Sequence, residues 1–175
     1  IRKGIERSYI NTIDINNYEI IEHCLNIWNE HSARTGWKRK LNYNYFFSSW
    51  NELLQCPGTT ILYIKEKETS RIIGWLIVKI IGEMAFIDTI ATSTEKGRTN
   101  PNDSLIYTAI MNLKDIPKVK CVQYGLSSPI ESLENFKESI GFKIIKLPSF
   151  LHVNPILKIF LKSFKPNVWE RLRGF

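Results

Sequence analysis

Phe86-Ile87-Asp88-Thr89-Ile90-Ala91-Thr92 runs straight into Ser93-Thr94-Glu95-Lys96-Gly97-Arg98-Thr99-Asn100-Pro101-Asn102, and this junction decides the fold. The first part is rich in β-branched and apolar residues and predicts a strand ending at Ala91. The polar run predicts a loop over Thr92–Asn100. Pro101-Asn102-Asp103 then predicts the start of a helix, because proline is tolerated at the first helical position. Loop amides ahead of a helix N-terminus, beside the carboxyl end of a strand, suit a phosphorylated ligand.

Downstream, Leu105, Ile106, Ala109, Ile110 and Leu113 share one face of a helix over Asn102–Leu113. A strand over Val119–Tyr124 follows, then a helix over Ser132–Ile140 that ends at Gly141-Phe142. Glycine there suits a helix C′ position with positive φ. A final strand or hairpin is expected over Phe142–Val153. Upstream, the period is two. Thr59–Lys65, Arg71–Ile81 and Met84–Ala91 predict three consecutive antiparallel strands, with turns at Glu68-Thr69-Ser70 and Gly82-Glu83. Before them come a short strand within Glu6–Ile13, a helix over Tyr18–Ala33, and a helix over Tyr43–Leu54 stopped by Pro57-Gly58. The fold class is mixed α/β (α+β): a mainly antiparallel central sheet, a single layer, with helices at both ends.

The order β, α, α, β, β, β, α, β, α, β, β resembles the GNAT acyltransferase superfamily over nearly the whole chain, through about Pro155. Phe86–Thr92 looks like that family's fourth strand, and Asn135-Phe136-Lys137-Glu138-Ser139-Ile140-Gly141-Phe142 like its last helix and following Gly-Phe. The resemblance implies acetyl-CoA or another acyl-CoA as co-substrate, lying where the fourth and fifth strands splay. By resemblance, the backbone of Ile90 and Thr92 meets the pantetheine arm. Lys96, Gly97, Arg98, Asn102 and Ser104 face the pyrophosphate, and Tyr124 and Phe136 border the cleft. Asp88 stands where many members carry a glutamate general base, and a cross-strand lysine partner is its structural alternative. Lys137 occupies the position of the usual tyrosine general acid. The loop departs from the family in carrying one glycine, Gly97, together with Glu95 and a proline that removes one donor amide.

Tyr124-Gly125-Leu126-Ser127-Ser128 and Phe136-Lys137 also resemble Fem-type peptidoglycan aminoacyltransferases, which take the acyl group from aminoacyl-tRNA. The expected activity is N-acyl (acetyl) transfer to a small-molecule or peptide amine. The alternatives are a Fem-like transferase acting on a cell-wall or lipid-linked acceptor, and a non-catalytic GNAT-like binding domain. Tyr43–Phe47 and Trp75 are expected on the acceptor side.

The 175 residues suffice for one domain with a sizeable core, and 43% hydrophobic with 23% charged residues argues against disorder. The net charge of +7 suits an anionic partner or, equally, a solubilising surface. Candidate contacts to tRNA or an anionic membrane surface are the basic loop Arg34-Thr35-Gly36-Trp37-Lys38-Arg39-Lys40, for which a solvated turn is the favoured alternative, and the tail, for which packing on the sheet is. Plain DNA binding is disfavoured, since no helix-turn-helix or zinc-finger spacing is present. Cys24, Cys56 and Cys121 have no metal-like or disulfide-framework spacing, so free thiols in a cytoplasmic, reducing setting are expected, with no metal site. A membrane-peripheral location stays open. The expected division is a GNAT-like domain over 1–155 and a basic amphipathic extension over 156–175, packed on or beside it.

Overall fold

A computed structural model describes residues 6–35, 40–94, 100–125, 131–145, 154–166 and 168–169. By internal contacts the chain divides into two units, Ile1–Phe142 and Lys143–Phe175.

In the first unit, β1 (Ser8–Thr12) is followed by α1 (Tyr18–Arg34), α2 (Tyr43–Gln55), β2 (Thr59–Glu66), β3 (Ile72–Ile81) and β4 (Met84–Thr92). Then come α3 (Pro101–Lys114), β5 (Cys121–Tyr124) and α4 (Glu131–Ser139). The sheet has the order β1-β2-β3-β4-β5. The pairs β1/β2, β2/β3 and β3/β4 are antiparallel, whereas β5 pairs parallel to β4. A parallel neighbour needs a crossover, and α3 supplies it.

Local chemistry explains the element ends. The Asn17 and Asn42 side chains accept from Ile20 N and Tyr45 N, capping α1 and α2. α4 ends in a Schellman motif: Phe142 N donates to Lys137 O at 3.1 Å, and Gly141 N to Glu138 O at 2.9 Å. Gly141 has φ +96°, the conformation its sequence position predicts. Between α1 and α2, the Asn29 side chain accepts from Leu41 N at 3.0 Å and donates to Leu41 O at 3.2 Å. This clip fixes the far end of the connection whose residues 36–39 lie outside the described set.

The sheet is covered on both faces, so it is the middle of three layers rather than a single layer. On one face α1 and α2 bury Ile21, Cys24, Phe46 and Trp50 against Ile61, Tyr63, Trp75 and Ile77. On the other, α3 buries Leu105, Ile106 and Ala109 against Leu62, Ile64, Leu76 and Ile87, with Phe136, Ile140 and Phe142 packed alongside. Alternate residues of a strand face opposite sides, and β2 divides its apolar residues in that way. Trp75 anchors the first core. It is 2% exposed, its ring centroid lies 5.1 Å from Trp50, and Nε1 donates to Cys24 O at 2.9 Å. Burying a side chain of this size contributes roughly 3 kcal/mol.

Two expected elements differ. β5 begins at Cys121 rather than Val119, because Val119 N is taken by Ile116 O in the turn leaving α3. Residues 142–145 form no strand: Phe142 completes the α4 cap, and its ring packs 5.6 Å from Tyr124. The rest of that expected strand, 146–153, lies outside the described residues.

In the second unit, α5 (Pro155–Phe164) ends before Lys165-Pro166, as proline requires. The Phe160 and Phe164 rings lie 5.2 Å apart, and Lys162 Nζ sits 5.5 Å from the centroid of the buried Trp169.

Candidate functional site

β4 and β5 are paired only from Met84/Cys121 to Ile87/Tyr124. Beyond that point β4 continues to Thr92 beside β3, while β5 stops. The two strands therefore part, and one edge of β4 over 88–92 has no strand beside it among the described residues.

The register says which backbone groups line that edge. Ser93 N donates to Ile73 O at 3.0 Å, and hydrogen bonding alternates along an antiparallel ladder. Ser93 and Ala91 thus turn their backbone groups to β3, while Thr92 and Ile90 turn theirs to the open side. These are the two residues whose backbone the resemblance noted above assigns to an extended ligand arm. Gly74, opposite Thr92, allows the close approach here: a Cβ on it would meet Thr92 Cγ2 at 2.9 Å and the Ala91 carbonyl oxygen at 3.1 Å.

Asp88 stands where the strands separate. Ile77 pairs with Thr89 and Val78 with Ile87, so Asp88 is the extra residue of a β-bulge. Its Oδ1 lies 3.1 Å from Lys79 Nζ on β3, and its Oδ2 accepts from Thr89 Oγ1 at 3.1 Å. The cross-strand lysine is present, and both carboxylate oxygens have a partner. Neither Lys79 nor Thr89 stood out in the sequence, because the bulge that brings Lys79 to Asp88 depends on strand register.

Lys137, on α4, is nearly buried. Its Nζ lies 3.0 Å from Glu134 Oε1 and 5.7 Å from the centre of the Tyr124 ring, at the end of β5. α4 therefore sets an ammonium over the strand end that borders the opening, held in place by a carboxylate one turn earlier. The Glu134/Lys137 spacing of three is a readable signal for this pair. Burial pushes the Tyr124 phenol above its ordinary ionisation range. Phe136 is half-buried and packs with the α3-side core.

At the start of α3, Pro101 occupies the first turn, and Asn100 makes no side-chain cap. Asn100 Nδ2 instead donates to Asp103 Oδ2 at 2.6 Å. The Ser104 amide is already used, donating to Asn100 O at 3.2 Å, so its hydroxyl is the group left to offer. Ser104 Oγ is fully buried without a hydrogen-bond partner among the described residues, and Asp103 Oδ1 shares that state. The first-turn amides of Asn102 and Asp103 have no intrahelical acceptor by helix geometry. Spare amides and an orphaned hydroxyl fit a ligand with acceptor oxygens; the Asp103 carboxylate in the same turn opposes a high negative charge. Lys96, Gly97 and Arg98 lie outside the described residues.

On the α1/α2 face, Trp75 and Phe46 are core residues and do not line a surface, contrary to the expectation for Trp75. Phe47 is flanked by Tyr18 and Tyr43, with ring centroids 5.7 and 5.9 Å away. At the carboxyl end of β4, Ser93 Oγ donates to Glu30 Oε2 at 3.2 Å, tying α1 to the strand.

No family model and no curated protein matches the chain. Solved structures do match in fold. A possible acetyltransferase from Clostridium difficile 630 superposes with a TM-score of 0.68 at 8% identity, covering 85% of this chain and 98% of that one. An aminoglycoside acetyltransferase from an uncultured soil metagenomic sample, in complex with sisomicin, gives 0.62 at 13% identity, covering 85% and 97%. Glucosamine-6-phosphate N-acetyltransferase from Arabidopsis thaliana gives 0.61 at 12% identity, covering 84% and 99%. The chain has the GNAT fold. These likenesses lend no support to the Fem-type similarity of the Tyr124–Lys137 stretch.

Proposed function

We propose that this chain, built on the GNAT fold, is an N-acyltransferase that moves an acyl group, acetyl in the simplest case, from acyl-CoA to a primary amine. The observation that carries the reading is the parting of β4 from β5 after Ile87 and Tyr124, with the backbone groups of Ile90 and Thr92 turned to the open side. The acetyltransferases of the same fold support it, and two of them are named for acceptors that are amino sugars or aminoglycosides.

In this reading the Ile90 and Thr92 backbone holds the pantetheine arm, and the Asn102 and Asp103 amides with Ser104 Oγ meet phosphate oxygens. Lys96, Gly97 and Arg98 add donors and charge from the loop. Asp88, through a water it orients, takes the proton of the acceptor ammonium. The free amine then forms the new C–N bond at the thioester carbonyl as the C–S bond breaks. Lys137, held by Glu134 over Tyr124, stabilises the departing thiolate and supplies its proton. The acceptor is a small-molecule amine, and Tyr18, Tyr43 and Phe47 offer stacking surface for it.

Isothermal titration with acetyl-CoA, and with longer acyl-CoAs, tests the reading. Saturable binding that Thr92→Pro weakens is expected, because proline constrains the strand and removes the amide at the open edge. No heat at millimolar ligand would leave a non-catalytic binding domain as the remaining reading. Its support is the single-glycine loop and the Asp103 carboxylate in the first turn of α3.

A further inference from the structure

We propose that α5 is a docking surface for an anionic lipid bilayer. α5 is a short helix with one apolar and one cationic flank. At about 100° per residue, Leu157, Phe160 and Phe164 fall within about 60° of one another, and Lys158, Lys162 and Lys165 fall within about 60° on another side. Leu157, Phe160 and Phe164 are 50%, 49% and 70% exposed. Ile159 is exposed too but lies outside this flank, about 160° from Leu157, and Lys158, Lys162 and Lys165 are all exposed.

The charge pattern selects the occupant. From Asn154 to Trp169 the sequence contains lysines and no acidic residue. A protein groove could accept the apolar flank but would not ask for a uniformly cationic border. A bilayer with anionic headgroups offers apolar chains below and negative charge beside them, matching both flanks of a helix lying in the interface plane. Aromatic side chains suit that depth, and Phe160 and Phe164 provide them. A helix of ten residues is about 15 Å long, half the thickness of the hydrocarbon layer, so α5 lies on the surface and does not cross it. This inference stands apart from the acyl-transfer reading.

Co-sedimentation of the full chain with phosphatidylcholine vesicles, with and without phosphatidylserine, tests it. Pelleting is expected only with phosphatidylserine and is lost at high salt. The pair Lys158→Glu/Lys162→Glu lowers vesicle partitioning at least about tenfold, since each cation near such a surface contributes about 1 kcal/mol. Phe160→Ser/Phe164→Ser abolishes it while every lysine remains. Both pairs change exposed side chains, and an unchanged thermal transition verifies that the chain still folds. Equal pelleting on neutral and anionic vesicles overturns the proposal, as does none on either. A lowered thermal transition for Phe160→Ser/Phe164→Ser in the lipid-free chain overturns it too, because the chain then covers its own helix. So does salt-sensitive binding to RNA without binding to vesicles.

Discussion

Ile87 of β4 and Tyr124 of β5 are the last partners in the parallel ladder, and Asp88, the next residue of β4, is the bulge at which the strands part. A bulge increases local twist and redirects the strand beyond it. The sheet therefore opens at the same residue that carries the candidate carboxylate. One local irregularity accounts for both the space and the placement of an acid–base group beside it.

The Lys79–Asp88 pair separates a working carboxylate from a structural one. The side chains are 29% and 39% exposed, so the pair contributes under about 1 kcal/mol to stability. Asp88→Asn is expected to lower kcat by about a hundredfold while acyl-CoA affinity holds. Lys79→Gln releases Oδ1 and costs less. Steady-state kinetics with a titration of acyl-CoA checks both. Equal, small effects from the two substitutions would make Asp88 a cross-strand partner and nothing more.

The strands and helices of the first unit were legible because each is bounded by local chemistry. Gly82-Glu83 and Glu68-Thr69-Ser70 turn the hairpins, Pro57-Gly58 ends α2, and Pro101 opens α3. The site was legible in part. Ile90 and Thr92 were placed at the cleft through resemblance to a family's fourth strand, but the Asp88 bulge and its Lys79 partner depend on register between strands, which no local pattern encodes. The strand expected after Gly141 failed for a related reason. Phe142 has strand-like chemistry, yet its amide is spent capping α4 on Lys137 O and its ring on packing against Tyr124. The Asn29–Leu41 clip was equally invisible, being a side chain closing onto backbone twelve residues away.

Lys137 and Glu134 form a pair with side chains only 11% and 14% exposed, so removing one charge takes a close counter-charge from the other in a poorly hydrated place. Lys137→Met is expected to destabilise the fold by roughly 3 kcal/mol, and Glu134→Gln/Lys137→Met to recover most of that, because the two opposite charges are then removed together. If the ammonium assists thiolate departure, the double variant stays stable but slow. Urea unfolding and kcat measured on the same preparations decide it. A stable double variant with full turnover would confine Lys137 to a structural role.

Cys24 predicts how stability changes with alkali. It is fully buried in the α1/α2 core, and burial pushes its thiol far above the ordinary value of 9.0. The folded state therefore keeps this proton at pH values where the unfolded chain has released it. Its contribution is complete below about pH 9 and is lost progressively as pH rises above that value. Wild type should lose about 1.4 kcal/mol per pH unit more than Cys24→Ala over that range, on top of the shared titration of other groups. The alanine variant starts roughly 1 kcal/mol less stable from the small cavity, so the two stability curves converge as the solution becomes more alkaline. Trp75 Nε1 bonds to the Cys24 carbonyl rather than to its thiol, so the substitution leaves that bond in place. Urea unfolding under reducing conditions, across a pH series, measures the difference; parallel curves for the two proteins would mean that the thiol is hydrated in solution and the core around it is open.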